Sequence, residues 1–132
     1  MFSALGHALT KRGAVYHVYN VEFPDKTKPK YCVLMEDYSP NVRGIMVIFT
    51  THRVEFDYQL SSVKVSDGII NGIKGDTLIQ CQNFMEFPPE IFCDSRKSKY
   101  LCNLPTALME QVNEALAFVR DIDEATLIRM LE

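Results

Sequence analysis

Short apolar runs, each closed by turn residues or an acidic pair, fill the first two-thirds of this chain. That punctuation limits it to a fold built from short strands, because no run is long enough for a large helix. Residues 14–20 are rich in Val and Tyr and follow Gly13, which can make a tight turn. Tyr31-Cys32-Val33-Leu34-Met35 is an unbroken apolar run between Pro29 and Glu36-Asp37, the pattern of a buried strand, and residues 44–49 repeat it. Residues 53–59 set Val54, Phe56 and Tyr58 against Glu55, Asp57 and Gln59, which predicts a strand with one wet face. Residues 62–65 form a shorter candidate. Asp67-Gly68 and Lys74-Gly75-Asp76 are turn signals on either side of 69–73, and residues 77–81 predict a strand whose polar end is Gln82-Asn83.

Pro88-Pro89 closes the β region, and a polar loop is expected as far as Lys99. Pro105 then opens a helix, since proline's missing N–H costs nothing in a first turn. Leu108, Val112, Ala115, Leu116 and Val119 recur at helical spacing and give one apolar stripe. Asp123 can cap a second short helix, with Leu127, Ile128 and Leu131 on its apolar side. There is no internal repeat, low-complexity segment or linker, and 132 residues fit one domain with a core of its own. The expected architecture is mostly β with C-terminal helices, a compact barrel packed by a helix.

The formal net charge of −3 gives no global attraction to nucleic acid, so any such contact needs a local basic patch. Lys26, Lys28 and Lys30 form one group and Arg96, Lys97 and Lys99 another; the simpler reading of each is a solvated loop. Residues 1–9 are apolar, but Lys11 and Arg12 follow them instead of preceding them, which is not the order of a signal peptide. No later run approaches the ~20 apolar residues of a membrane span, so a cytoplasmic protein without a membrane partner is expected. Cys32, Cys81, Cys93 and Cys102 form no Cys-x-x-Cys pair and have no histidine at zinc spacing. They read as reduced structural thiols, Cys93 and Cys102 being the one pair to test for a redox link, and no metal or other cofactor is expected.

Several segments carry a family likeness. Lys11-Arg12-Gly13-Ala14-Val15-Tyr16 begins it, and Asp25-Lys26-Thr27-Lys28-Pro29-Lys30 is a loop before an apolar strand. Phe49-Thr50-Thr51-His52 and Cys81-Gln82-Asn83 are strands ending in polar residues, and Leu104-Pro105 with Val112-Asn113-Glu114-Ala115-Leu116 is a helix. Over residues 11–118 this order resembles the PemK/MazF family of toxin endoribonucleases. The resemblance implies a small SH3-like β-barrel packed by an α-helix, acting as a homodimer. It also implies cleavage of single-stranded mRNA without a metal, and neutralisation by an antitoxin protein that occupies the RNA groove. In that chemistry the ribose 2′-OH attacks the adjacent phosphate and leaves a cyclic phosphate and a free 5′-OH.

Such a reaction needs a proton acceptor, a donor for the leaving oxygen, and positive charge around the phosphorane. Lys30 falls at the family's arginine position, keeping the charge but not the planar fork. Ala14 stands where the family has an acid; Gln80 and Gln82 stand where several members have arginine or aspartate, and Phe84 or Met85 replaces a following arginine. Glutamine cannot transfer protons at neutral pH, so that work falls to His52, whose residue type titrates near neutrality. In an alternating strand Thr50 and His52 share one face and Thr51 takes the other. The candidate catalytic residues are therefore Lys30, Thr50 and His52, and the candidate RNA-binding residues are Lys26, Lys28, Thr51, Arg53, Gln80, Gln82 and Phe84. Tyr16, Tyr31, Phe49 and Phe84 could stack on bases, Phe84 being preferred, while His17 reads as a packed or interfacial residue. The alternative is a catalytically silent barrel that binds RNA or a protein without cutting. A third possibility is an unrelated SH3-like interaction domain with an aromatic peptide groove.

Overall fold

The computed structural model describes residues 9–19, 30–39, 43–56 and 60–131. Strands β1 (Ala14–Val18), β2 (Lys30–Leu34), β3 (Ile45–Thr51), β4 (Ser62–Val65), β5 (Thr77–Phe87) and β6 (Ser98–Asn103) precede helices α1 (Thr106–Leu116) and α2 (Glu124–Leu131). The six strands form one antiparallel sheet in the order β4-β5-β3-β2-β1-β6. The continuous apolar runs in β2 and β3 follow from this order, since both strands are central and are covered on both faces. On one face Val15, Val33, Ile48, Val63, Ile79 and Cys81 pack against Val112, Ala115 and Leu116 of α1 and Met130 of α2. On the other, Tyr16, Cys32, Val47 and Phe49 pack against Phe87, Ile91 and Phe92.

Among the described residues no strand pairing joins the edge strands β4 and β6, so the sheet is open. The loop between β4 and β5 leans across the gap. A side chain at Gly72 would meet Leu101 of β6, and the Asn71 backbone hydrogen-bonds the Cys102 thiol. The neck of this loop is clasped reciprocally: the Asp67 amide donates to the Asp76 carboxylate at 2.9 Å, and the Gly75 amide to the Asp67 carboxylate at 2.8 Å.

Two arginines fasten the helices. Arg12 donates from Nε to the Met35 carbonyl (3.1 Å), and from Nη2 to Asn113 Oδ1 (2.6 Å) and the Met130 carbonyl (2.7 Å). Arg129 of α2 pairs with Glu36 and Glu86, each at 2.7 Å, and these carboxylates hold its guanidinium above its ordinary pKa. The Leu108-to-Val119 stripe faces the core as expected, with Val112, Ala115 and Leu116 buried. Asp123 does cap α2, accepting the Thr126 amide at 2.7 Å.

Four local expectations are corrected. Residues 54–56 form a 3-10 turn, not a strand, and residues 57–59 lie outside the described residues. β5 does not stop at Cys81 but runs to Phe87: residues 77–80 pair with β4 on one side, residues 78–79 and 84–87 pair with β3 on the other, and residues 80–83 bulge out of the β3 ladder. The register jumps there from Ile48↔Phe84 to Thr50↔Ile79. The expected polar loop to Lys99 holds a 3-10 turn at Pro89–Cys93 and the start of β6, whose strand character comes from pairing with β1 and not from apolar alternation. In α2 the buried side chain is Met130, while Ile128 and Leu131 stay exposed. The thiols are free, and Cys93 and Cys102 sit against Thr10 and Asn71 respectively, so they form no bridge. No described helix is long and apolar enough to cross a membrane.

Candidate functional site

The helix-bearing face changes character one row along the strands. Val15 and Val33 are fully buried there, and alternation carries the same face on to His17 and Tyr31, which are only partly covered. His17 lies opposite Tyr31 on β2 and opposite Lys99 on β6. Thr50 joins the row from β3, its hydroxyl donating to the Tyr31 carbonyl at 3.4 Å. One strand-end further on, exposed His52 turns its ring edge-on to Tyr31 at 6.3 Å. His17 stacks on Tyr31 at 4.5 Å with planes 21° apart, and Tyr19 closes the other end against His17 at 5.3 Å. The result is a ladder of four rings, Tyr19, His17, Tyr31 and His52, laid across β1, β2 and the end of β3.

Fixed partners orient the ends of the ladder. His52 Nδ1 lies 3.3 Å from the Asp76 carbonyl, which can only accept, so Nδ1 carries a proton and Nε2 is left for chemistry. The Thr77 hydroxyl lies 3.5 Å from the same nitrogen. Because Asp76 is held by the Asp67 clasp, the imidazole is positioned by the loop neck before any ligand arrives. Tyr19 donates from its hydroxyl to the carbonyls of Ser95 (2.9 Å) and Ser98 (3.2 Å), which ties the ladder to the segment bearing Lys97 and Lys99. Partial burial lowers the His17 pKa, and the Lys99 ammonium beside it lowers it further, so the neutral ring is favoured.

Of the sequence candidates, the structure brings Thr50 and His52 together around Tyr31. It does not bring Lys30 with them: Lys30 pairs with Val18 and by alternation takes the face of Cys32 and Leu34. Thr51 closes β3, accepting the Arg53 amide on its hydroxyl at 3.2 Å, and Arg53 pairs with Glu55 at 3.6 Å on the surface. Gln80 lies opposite Ser62 in the β4–β5 pair. Gln82 accepts the Ser61 hydroxyl at 2.9 Å and, with Phe84, lines a separate groove of about 1010 Å³. Leu60, Ser61 and the Ala117-to-Asp121 turn complete that groove. Gln82 lies five residues beyond Thr77, so the groove is roughly 17 Å along β5 from His52. Lys26 and Lys28 lie outside the described residues. Within the second basic group, Arg96 is forked onto Asp94 at 3.1 and 3.2 Å.

Sequence reasoning missed His17 as part of a site and ranked Tyr31 below Phe84. Tyr16 and Phe49, also considered for stacking, are core residues at 1% and 4% exposure. The period-two step from Val15 to His17 was a visible signal; the register that sets His17 against Tyr31 was not. Compared with known proteins, the chain matches no family model and no curated sequence.

Proposed function

We propose that this protein is a toxin-like endoribonuclease that cleaves single-stranded RNA at the ring ladder without a metal. The observation that carries the reading is His52, oriented through Nδ1 by a backbone carbonyl and presented beside Thr50 and Tyr31. The partly covered rings offer stacking surfaces to unpaired bases, which is how proteins read single strands without base-edge contacts. A phosphate beside them lies within the field of Lys99. The ribose 2′-oxygen forms its bond to phosphorus as the P–O5′ bond breaks, and His52 moves a proton through Nε2. The Thr50 hydroxyl, whose contact with the Tyr31 carbonyl is a long 3.4 Å, is available to a phosphate oxygen.

In this reading the open sheet is an SH3-like barrel of the PemK/MazF type, a description supported by the β4–β5 loop leaning on β6. The groove at Gln82 and Phe84 takes flanking nucleotides, and it is where a neutralising antitoxin would compete, with a homodimer extending the RNA path. A second reading, a barrel that binds without cutting, is favoured by one observation: β5 presents the neutral amides of Gln80 and Gln82, which can hydrogen-bond RNA but transfer no proton. Purified protein incubated with single-stranded RNA in chelator separates the two. Cyclic phosphate ends that disappear in His52→Ala support cleavage; intact RNA with binding retained refutes it in favour of the second.

A further inference from the structure

We propose that His17 and His52 act as a base and acid pair on opposite sides of Tyr31, with Lys99 as the cation that holds the scissile phosphate. This rests on the endoribonuclease reading and deepens it by adding two residues to its chemistry. In-line displacement puts the entering and leaving oxygens at opposite apices of phosphorus, so one residue cannot serve both. A base and an acid must stand on either side of the phosphate. The sheet puts one imidazole on each side of Tyr31, over which the phosphate would sit: His17 on β1 and His52 just past β3, strands whose backbones lie about 10 Å apart across β2. Both imidazoles approach the ring between them, at 4.5 Å and 6.3 Å.

The surroundings assign the direction of proton flow. Lys99, Tyr19 and Tyr31 are the charged and titratable groups around His17, and burial with Lys99 favours the neutral ring, which accepts a proton. His52 is exposed and faces the Asp76 carbonyl, Thr77 and Tyr31; with Nδ1 held on that carbonyl, Nε2 is the nitrogen turned toward the leaving oxygen. The 2′-OH proton therefore passes to His17 as O2′ bonds to phosphorus. The proton on His52 Nε2 passes to O5′ as that bond breaks. Lys99, directly across from His17 on β6 and exposed, is the cation whose long side chain would reach the non-bridging oxygens past that ring.

The test compares two RNA oligonucleotides in chelator, one with the ordinary 5′-oxygen at the cut and one with 5′-sulfur there, whose thiolate leaves without an acid. His17→Gln should lose about 10²–10⁴-fold on both. His52→Gln should lose as much on the oxygen substrate and run close to wild type on the sulfur one. Lys99→Ala should slow both, and Lys99→Arg should restore them. Thermal melts of each variant confirm folding, and His17→Asn gives a second replacement should glutamine unfold the sheet edge. Wild-type cleavage with folded His17 variants at full rate overturns the pair and leaves the ribonuclease reading intact. Sulfur rescue of His17→Gln instead of His52→Gln overturns the assigned direction. No cleavage of either substrate by wild type refutes the ribonuclease reading itself.

Discussion

Replacing Arg12 with methionine tests whether one guanidinium holds both helices on the sheet. Methionine keeps a flexible stem of similar reach, so the loss is confined to the polar end. That end donates to Met35, Asn113 and Met130, one acceptor each from the sheet side, α1 and α2. A hydrogen bond from a charged donor contributes about 1.5–3 kcal/mol. The three do not add, because water reaches the half-buried site and because burial already works against this guanidinium, lowering its pKa. A net loss of about 2–3 kcal/mol is expected, a large share of the roughly 5–15 kcal/mol typical of a domain. At about 4 °C per kcal/mol for this length, the melting temperature should fall by about 8–12 °C. Melting followed by near-ultraviolet circular dichroism measures it, and hydrogen exchange should show α2 amides losing protection first. Arg12→Lys should recover less than half, since an ammonium cannot span three separated acceptors. A methionine variant melting within about 2 °C of wild type would refute the tether.

The pH dependence of stability should carry the signature of His17. Its folded pKa lies below the ordinary value of about 6.5, so the unfolded chain binds the extra proton, and stability is lost as pH falls through 6.5 toward the folded pKa. Urea midpoints at pH 7.5 and 5.5 should drop more in wild type than in His17→Gln; parallel changes would count against the burial argument. Gly44→Ala should destabilise by about 1 kcal/mol, because its methyl runs into the Glu86 side chain and moves that carboxylate off Arg129. When Glu86→Ala is already in place, the same substitution should cost close to nothing, a coupling read by a double-mutant cycle.

The legible parts of the fold were those whose pattern is local. The apolar runs of β2 and β3, the Pro105 helix start, the α1 stripe and the Asp123 cap each follow from a few neighbouring residues, and each is present. The misread parts depend on a partner. Strand β6, Ser-Lys-Tyr-Leu-Cys-Asn, has no alternation of its own and becomes a strand by pairing with β1. The irregularity in β5 at residues 80–83 is a bulge in its ladder with β3, which puts Gln82 in the wall of a groove instead of at a strand end.

The candidate site divides along the same line. Thr50 and His52 are two residues apart, the second one residue past the end of β3, and alternation carried one step beyond the strand puts them on one face. Lys30 was joined to them by position in a family pattern, and the same alternation, applied to β2, turns it away: Tyr31 takes the site face, so Lys30 takes the other. His17 and Lys99 come from strands separated by most of the chain and meet only through two registers, His17↔Tyr31 and His17↔Lys99. A histidine bounded by Val15 and Val18 looks like core until its cross-strand neighbours are known to be a tyrosine and a lysine instead of another valine. Polar residues on a face that is apolar one row earlier mark where the helices stop covering the sheet. That boundary leaves partly covered rings and an exposed lysine on strands that hold them in register, where a ligand can reach them.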